Sequence, residues 1–132
     1  MTIKFDMMGI FVNDISKMVD FYKNGIGIDL DWDGNEPYAE FKHEGIRFYM
    51  YERKKLSELL GQEPSFPNGI NGTFELAINV GPPEQVDIKF KKMIDAGAKP
   101  IYKPRNEPWK MRSSMVADPE GNLIEIGSDF WE

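Results

Sequence analysis

The sequence holds no cysteine and a single histidine, and each scarcity removes chemistry. Without thiols there is no disulfide framework, no thiolate nucleophile and no cysteine-ligated zinc. The one imidazole, His43, stands just ahead of the turn Glu44-Gly45, where an exposed side chain is expected. Basic residues are outnumbered, 16 Lys and Arg against 22 Asp and Glu. The resulting net charge of −6 argues against general binding to a phosphate backbone, so no nucleic-acid partner is expected. No apolar run approaches the ~20 residues of a membrane span. The opening MTIKFDMMG also lacks the basic-then-apolar layout of a secretory signal, so a cytoplasmic setting with no membrane partner is expected.

What is present is a globular composition, 41% hydrophobic and 13% aromatic in 132 residues, enough for one structural domain with a single real core. Met8, Ile10 and Val12 alternate with Met7, Gly9 and Phe11, which predicts a strand with one buried face. A helix follows, capped by Asn13 or Asp14, with Ile15, Met18, Val19 and Tyr22 on one stripe and Gly25 as its left-handed end. Strands are predicted near 27–33, 36–43 and 45–52, separated by the turns DGN and HEG. The segment 54–72, rich in Gly, Pro and Asn, reads as a linker carrying one short helix. The order then repeats. TFELAINV (73–80) alternates, Pro83 opens a helix with Val86, Phe90, Met93 and Ile94 on its stripe and Gly97 at its end, and three more strands complete the chain. The reading is thus a first module over 1–53, a linker over 54–72 and a second module over 73–132. Glu-Gly falls at the same place in the turns of HEGIRFYM (43–50) and PEGNLIEI (119–126), which points to a duplication.

Two β-α-β-β-β modules, the run VND…DFY after the first strand, PW before the seventh and DPEGNLIEI near the end together resemble the vicinal oxygen chelate superfamily. That superfamily holds glyoxalase I, extradiol dioxygenases and bleomycin-resistance proteins. The likeness covers essentially the whole chain, and DPEGNLIEI is its most specific element. It implies an α+β fold whose two curled mixed sheets form a cleft, with the family's ligand positions on the first and last strands of each module. Carried onto this chain, those positions are Met7, Tyr49, Glu75 and Glu125.

Metal-dependent relatives offer imidazoles and carboxylates there, whereas this set has two carboxylates, a thioether and a phenol, which suit Fe, Ni or Zn poorly. No cofactor is therefore expected. If a divalent ion binds at all, Glu75 and Glu125 are its donors, as a partial oxygen site. Taken singly, each glutamate reads as a solvated strand-face charge. Facing one cleft, their repulsion and desolvation would raise at least one pKa and suit proton transfer, which makes both candidate catalytic residues. Alternatively they accept hydrogen bonds from a ligand or a neighbouring arginine.

The same alternation adds Phe11, Arg47, Tyr51, Ala77, Asn79 and Leu123 as cleft-facing residues, with Trp109 and Arg112 near the mouth. An aromatic lining with a few polar points suits a small aromatic or amphipathic organic molecule, although the same residues could equally fill a core. Two classes stay open. One is a binding protein similar to the drug-sequestering members, and the other is a lyase, isomerase or dioxygenase. The missing imidazoles favour the first, because these chemistries lean on a metal. Relatives of this length commonly pair, and Phe130 and Trp131 are costly to expose, so a homodimer is expected.

Overall fold

The computed structural model describes residues 1–42 and 44–132, so the exposed position expected for His43 lies outside the described residues. The chain divides into two compact units, Met1–Phe66 and Pro67–Glu132. Each is one β-α-β-β-β module with its own mixed four-stranded sheet, an α+β architecture repeated.

In the first unit, β1 (Met7–Val12) leads into α1 (Ile15–Asp20), followed by β2 (Asp29–Asp31), β3 (Tyr38–Lys42) and β4 (Arg47–Glu52). The sheet order is β1-β4-β3-β2, with β1 and β4 parallel and the other neighbours antiparallel. Of the two residues able to cap α1, Asp14 does so, its carboxylate accepting from the Lys17 amide at 3.1 Å. The helix does not end at Gly25 as the sequence suggested. It widens into a π-helical turn over Phe21–Ile26 and closes at Gly27, which takes the left-handed conformation while Gly27 and Ile28 both donate to the Tyr22 carbonyl. The extension brings Phe21, Tyr22 and Ile26 into the core beside Met18 and Val19, against Ile10, Val12, Ala39, Phe41 and Met50. Tyr22 stacks on Phe41 with ring centroids 5.3 Å apart, and Phe41 on Phe48 at 4.6 Å. The short helix expected in the linker is α2 (Arg53–Leu60), held to β1 by the Arg53 Nε donating to the Phe11 carbonyl.

The second unit repeats the plan with β5 (Asn71–Asn79), α3 (Glu84–Asp95), β6 (Lys99–Glu107), β7 (Met111–Ala117) and β8 (Asn122–Gly127), in the sheet order β5-β8-β7-β6. β5 begins two residues earlier than its alternation suggested, because Asn71 pairs with Asn122 across a register shift. Val86 and Met93 of α3 pack on the face made by Val116, Ile124 and Ile126. The DPEGN turn joins β7 to β8. Its Asp118, 3% exposed, takes the amides of Glu120 and Asn122 on one oxygen and the Asn122 side chain on the other. Asn122 in turn accepts from the Asn71 side chain, so the turn is tied to the start of β5.

In the first unit α1, and in the second α3, packs on one face of its sheet. The period of two along each strand then sends the remaining residues to the opposite face.

Candidate functional site

In the first unit that opposite face carries Met7, Gly9 and Phe11 from β1, Arg47, Tyr49 and Tyr51 from β4, and Tyr38 and Glu40 from β3. The register sets Gly9 beside Tyr49 and Phe11 beside Tyr51, and on the other side Tyr49 faces Glu40 and Tyr51 faces Tyr38. All five residues expected here from sequence, Met7, Phe11, Arg47, Tyr49 and Tyr51, are therefore brought together. Tyr38 and Glu40 were missed. They are two apart in β3, and pairing β3 with β4 across the HEG turn would have found them.

Tyr38 and Tyr49 stack with centroids 5.2 Å apart, and Tyr51 meets Tyr38 edge-on at 6.5 Å. Tyr49 leans across β1, and a Cβ on Gly9 would collide with its ring. Glycine at position 9 is what lets the ring lie there. The cation of Arg47 is already engaged, its Nη2 and Nε reaching the same Glu40 oxygen at 2.8 and 3.1 Å and its Nη1 standing 3.5 Å from Asp6. The hydrogen bond from Arg47, and then that from the Tyr38 hydroxyl, holds the Glu40 carboxyl below its ordinary value. Burial, and then the bond to Glu40, pushes the Tyr38 phenol up. Gly9→Ala is expected to swing Tyr49 out of its stack at a cost of about 1–2 kcal/mol, visible in melts and as a changed near-ultraviolet tyrosine signal. An unchanged signal would place Tyr49 elsewhere.

In the second unit the corresponding face carries Glu75, Ala77 and Asn79 from β5 and Leu123 and Glu125 from β8. Glu75 lies beside Leu123 and Ala77 beside Glu125 in the parallel register, so the two glutamates are diagonal neighbours. On β7, Met115 faces Glu125 and Ser113 faces Gly127, and beyond them Tyr102 and Arg105 of β6 complete the rows.

A polar network missed by sequence reasoning runs through Ser113. The side chain of Glu107, 7% exposed, accepts from Arg105 Nε at 2.7 Å and from Ser113 Oγ at 2.8 Å. The Tyr102 hydroxyl lies 3.3 Å from the same Oγ, and the Arg105 guanidinium stacks 3.9 Å over the Tyr102 ring. Arg105, and then Ser113, holds Glu107 below the ordinary carboxylate value. Glu125 moves the opposite way, since burial and then the charges of Glu75 and Glu107 raise its pKa. No hydrogen bond to its carboxylate is formed among the described residues. The face thus holds one carboxylate fixed as an anion and another whose proton affinity is increased.

Three further residues expected at the site, Arg112, Trp109 and Asn79, also lie in the second unit. Arg112 belongs to the helix-facing set of β7, where it forks onto Asp87 of α3 at 2.6 and 2.9 Å and bonds Asn106 at 3.0 Å, a structural tie. Trp109 stands in the β6–β7 turn, 58% exposed. Asn79 lies on the expected face but spends its side chain on Asp129 and the Gly81 amide, anchoring the segment after β8.

In the first unit Met7 and Tyr49 supply a thioether and a phenol, poor donors for Zn, Ni or Fe, and in the second Arg105 and Ser113 already occupy one oxygen of Glu107. Among the described residues no three histidine, aspartate or glutamate side chains are grouped so as to hold an ion. Also among them, no helix is long and apolar enough to cross a membrane.

The family model of the Glyoxalase/Bleomycin resistance protein/Dioxygenase superfamily matches residues 4–126. An uncharacterized protein of Bacillus subtilis (strain 168), YraH, is 32% identical over 120 residues, covering 89% of this chain and 91% of that one. A glyoxalase-related enzyme from Fulvimarina pelagi superposes with a TM-score of 0.82 at 21% identity, covering 96% of this chain and 88% of that one, a likeness that shows the fold. A glyoxalase/bleomycin resistance protein/dioxygenase family enzyme from Burkholderia phytofirmans PsJN gives 0.80 at 25% identity, over 93% and 96% of the two chains.

Proposed function

Since this chain belongs to the Glyoxalase/Bleomycin resistance protein/Dioxygenase superfamily, we propose that it is a binding protein that holds a small aromatic or amphipathic organic molecule, without a metal ion, on the sheet faces opposite α1 and α3. The observation that carries this reading is the tyrosine platform. Tyr49 is stacked on Tyr38 and laid over Gly9 on the face opposite α1. Stacked rings present a flat, polarisable surface to another flat molecule, and the nearby polar groups give it orientation. The reading includes a homodimer. β1 and β5 are edge strands of their own sheets, and Phe130 is 72% exposed. Sedimentation is expected to give a species of twice the 15.2 kDa chain mass, and a lone monomer at micromolar concentration would count against it. Native mass spectrometry with metal analysis tests the rest: a retained organic ligand without stoichiometric metal is the expected result, and stoichiometric Zn, Ni or Fe would overturn it.

Glu125 favours a second reading, an enzyme of the lyase, isomerase or dioxygenase type with Glu75 and Glu125 moving protons. Its carboxyl has no hydrogen-bond partner among the described residues, and burial with the charges of Glu75 and Glu107 raises its pKa, which suits it to taking and returning a proton. The same shift makes a stability prediction. The folded chain binds the Glu125 proton more tightly than the unfolded one, so ionisation subtracts stability as pH rises from the ordinary carboxylate value through the folded one. Glu125→Gln is therefore expected to melt slightly above the parent at neutral pH, with the gap closing in acid. Its affinity for the ligand should fall by about 1–3 kcal/mol. Loss of turnover with affinity retained would select the enzymatic reading, and lower melting with unchanged binding would remove Glu125 from both.

A further inference from the structure

The sequence contains three Asn-Gly pairs, Asn24-Gly25, Asn68-Gly69 and Asn71-Gly72. Such pairs are chemically fragile when the glycine nitrogen is able to reach the asparagine side-chain carbon, because glycine has no Cβ to hinder the approach. The fold treats the three differently. Asn24 lies inside the π-helical turn, which fixes the following backbone, and its Nδ2 donates to Asp20 at 2.6 Å. Asn71 lies in β5 at 7% exposure, with Oδ1 accepting from the Thr73 amide at 3.1 Å and hydroxyl at 2.6 Å and Nδ2 donating to Asn122 at 3.1 Å. Asn68 is exposed, lies outside every helix and strand, makes no side-chain hydrogen bond among the described residues, and precedes a glycine at φ +90°.

We propose that Asn68 is a modification site, where the exposed side chain and irregular backbone of the Asn-Gly pair allow spontaneous deamidation while Asn24 and Asn71 are protected. The Gly69 amide nitrogen gives up its proton to solvent base and bonds to Asn68 Cγ. The Cγ–Nδ2 bond then breaks, and the nitrogen, protonated by water, leaves as ammonia. Water opens the resulting succinimide at either carbonyl, its hydroxyl going to the carbon and its hydrogen to the ring nitrogen. Both products carry a new carboxylate. Opening at the main-chain carbonyl also routes the backbone through the former side chain and adds a methylene.

That added length falls at a tight place. The Gly69 carbonyl packs where a Cβ on Gly121 would stand, and the Asn71 amide donates to the Gly121 carbonyl at 2.8 Å. The isoaspartyl form therefore pushes residues 68–71 away from the β7–β8 turn, whereas a plain change of charge does not. Modification at Asn68 is thus read out as a structural change in the second unit.

The experiment is incubation of the whole chain at mildly alkaline pH, followed by peptide mass mapping and labelling with an isoaspartate methyltransferase. Acid is expected at position 68 at least about tenfold faster than at 24 or 71, because local opening must precede attack at the latter two. In urea the three rates should converge. Asn68→Gln should abolish most of the label, Asn68→Asp should melt like the parent, and the isoaspartyl fraction should melt lower. Equal rates at the three sites in the folded chain, or undiminished label in Asn68→Gln, would overturn the proposal.

Discussion

Gly121→Ala is expected to destabilise the chain by about 3 kcal/mol or more, roughly 10 °C in Tm. Two costs combine. Gly121 sits at φ +95°, a conformation that any L side chain strains to adopt. A Cβ there would also run into the Gly69 carbonyl, with the Ile70 backbone 3.5 Å away, and a main-chain obstacle does not rotate aside as a side chain would. The two costs are separable within the same unit. Gly81 has a similar φ of +83° but nothing within 4 Å of its missing Cβ, so Gly81→Ala meets the strain alone, about 1 kcal/mol. Equal melting of the two variants would show that the loop at 69–70 yields freely and that the close approach carries no weight.

The order of elements was legible because each module writes its strands in period two and its helices in period near four, and because Asp14 is a good cap. The end of α1 was not legible. Gly25 and Gly27 are two apart, either is able to end a helix, and the choice is made by the burial of Phe21, Tyr22 and Ile26 on a wider turn, a tertiary effect. At the candidate site, alternation placed Glu75 and Glu125 on one face and Met7, Phe11, Tyr49 and Tyr51 on another, since parity along a strand fixes the face. It gave no information on which charges are already spent. Arg47 and Arg112 look alike as isolated cations in sequence, yet one is engaged by Glu40 within its own sheet and the other by Asp87 of α3. Glu107, in the run NEPWKMR, becomes a buried anion only because the β6–β7 pairing brings Ser113 and Arg105 to it. Parity is a local property, and pairing partners at a distance are not.

Asp118→Ala is expected to cost about 2–4 kcal/mol, because it leaves the buried amide of Asn122 and the Asn122 side chain without their acceptor and loosens the tie to Asn71. Asp118→Asn should fall between the two, keeping an oxygen for the amides at 2.9 and 3.0 Å while turning an amino group toward the donor that now reaches Oδ2 at 2.9 Å. The aspartate lies in the motif that marks the family most specifically, but its hydrogen bonds from the Glu120 and Asn122 amides and the Asn122 side chain run within the turn. Stability and ligand binding should therefore separate in opposite directions along DPEGNLIEI. Asp118→Ala should melt lower and, at a temperature where it remains folded, bind the ligand as the parent does, while Glu125→Gln should melt no lower and bind more weakly. The separation has a physical origin. A buried carboxylate that accepts three hydrogen bonds lowers the energy of the fold, and one desolvated beside two other negative charges raises it. Weakened binding in Asp118→Ala with stability intact would reverse these assignments and move the site from the strand face to the turn.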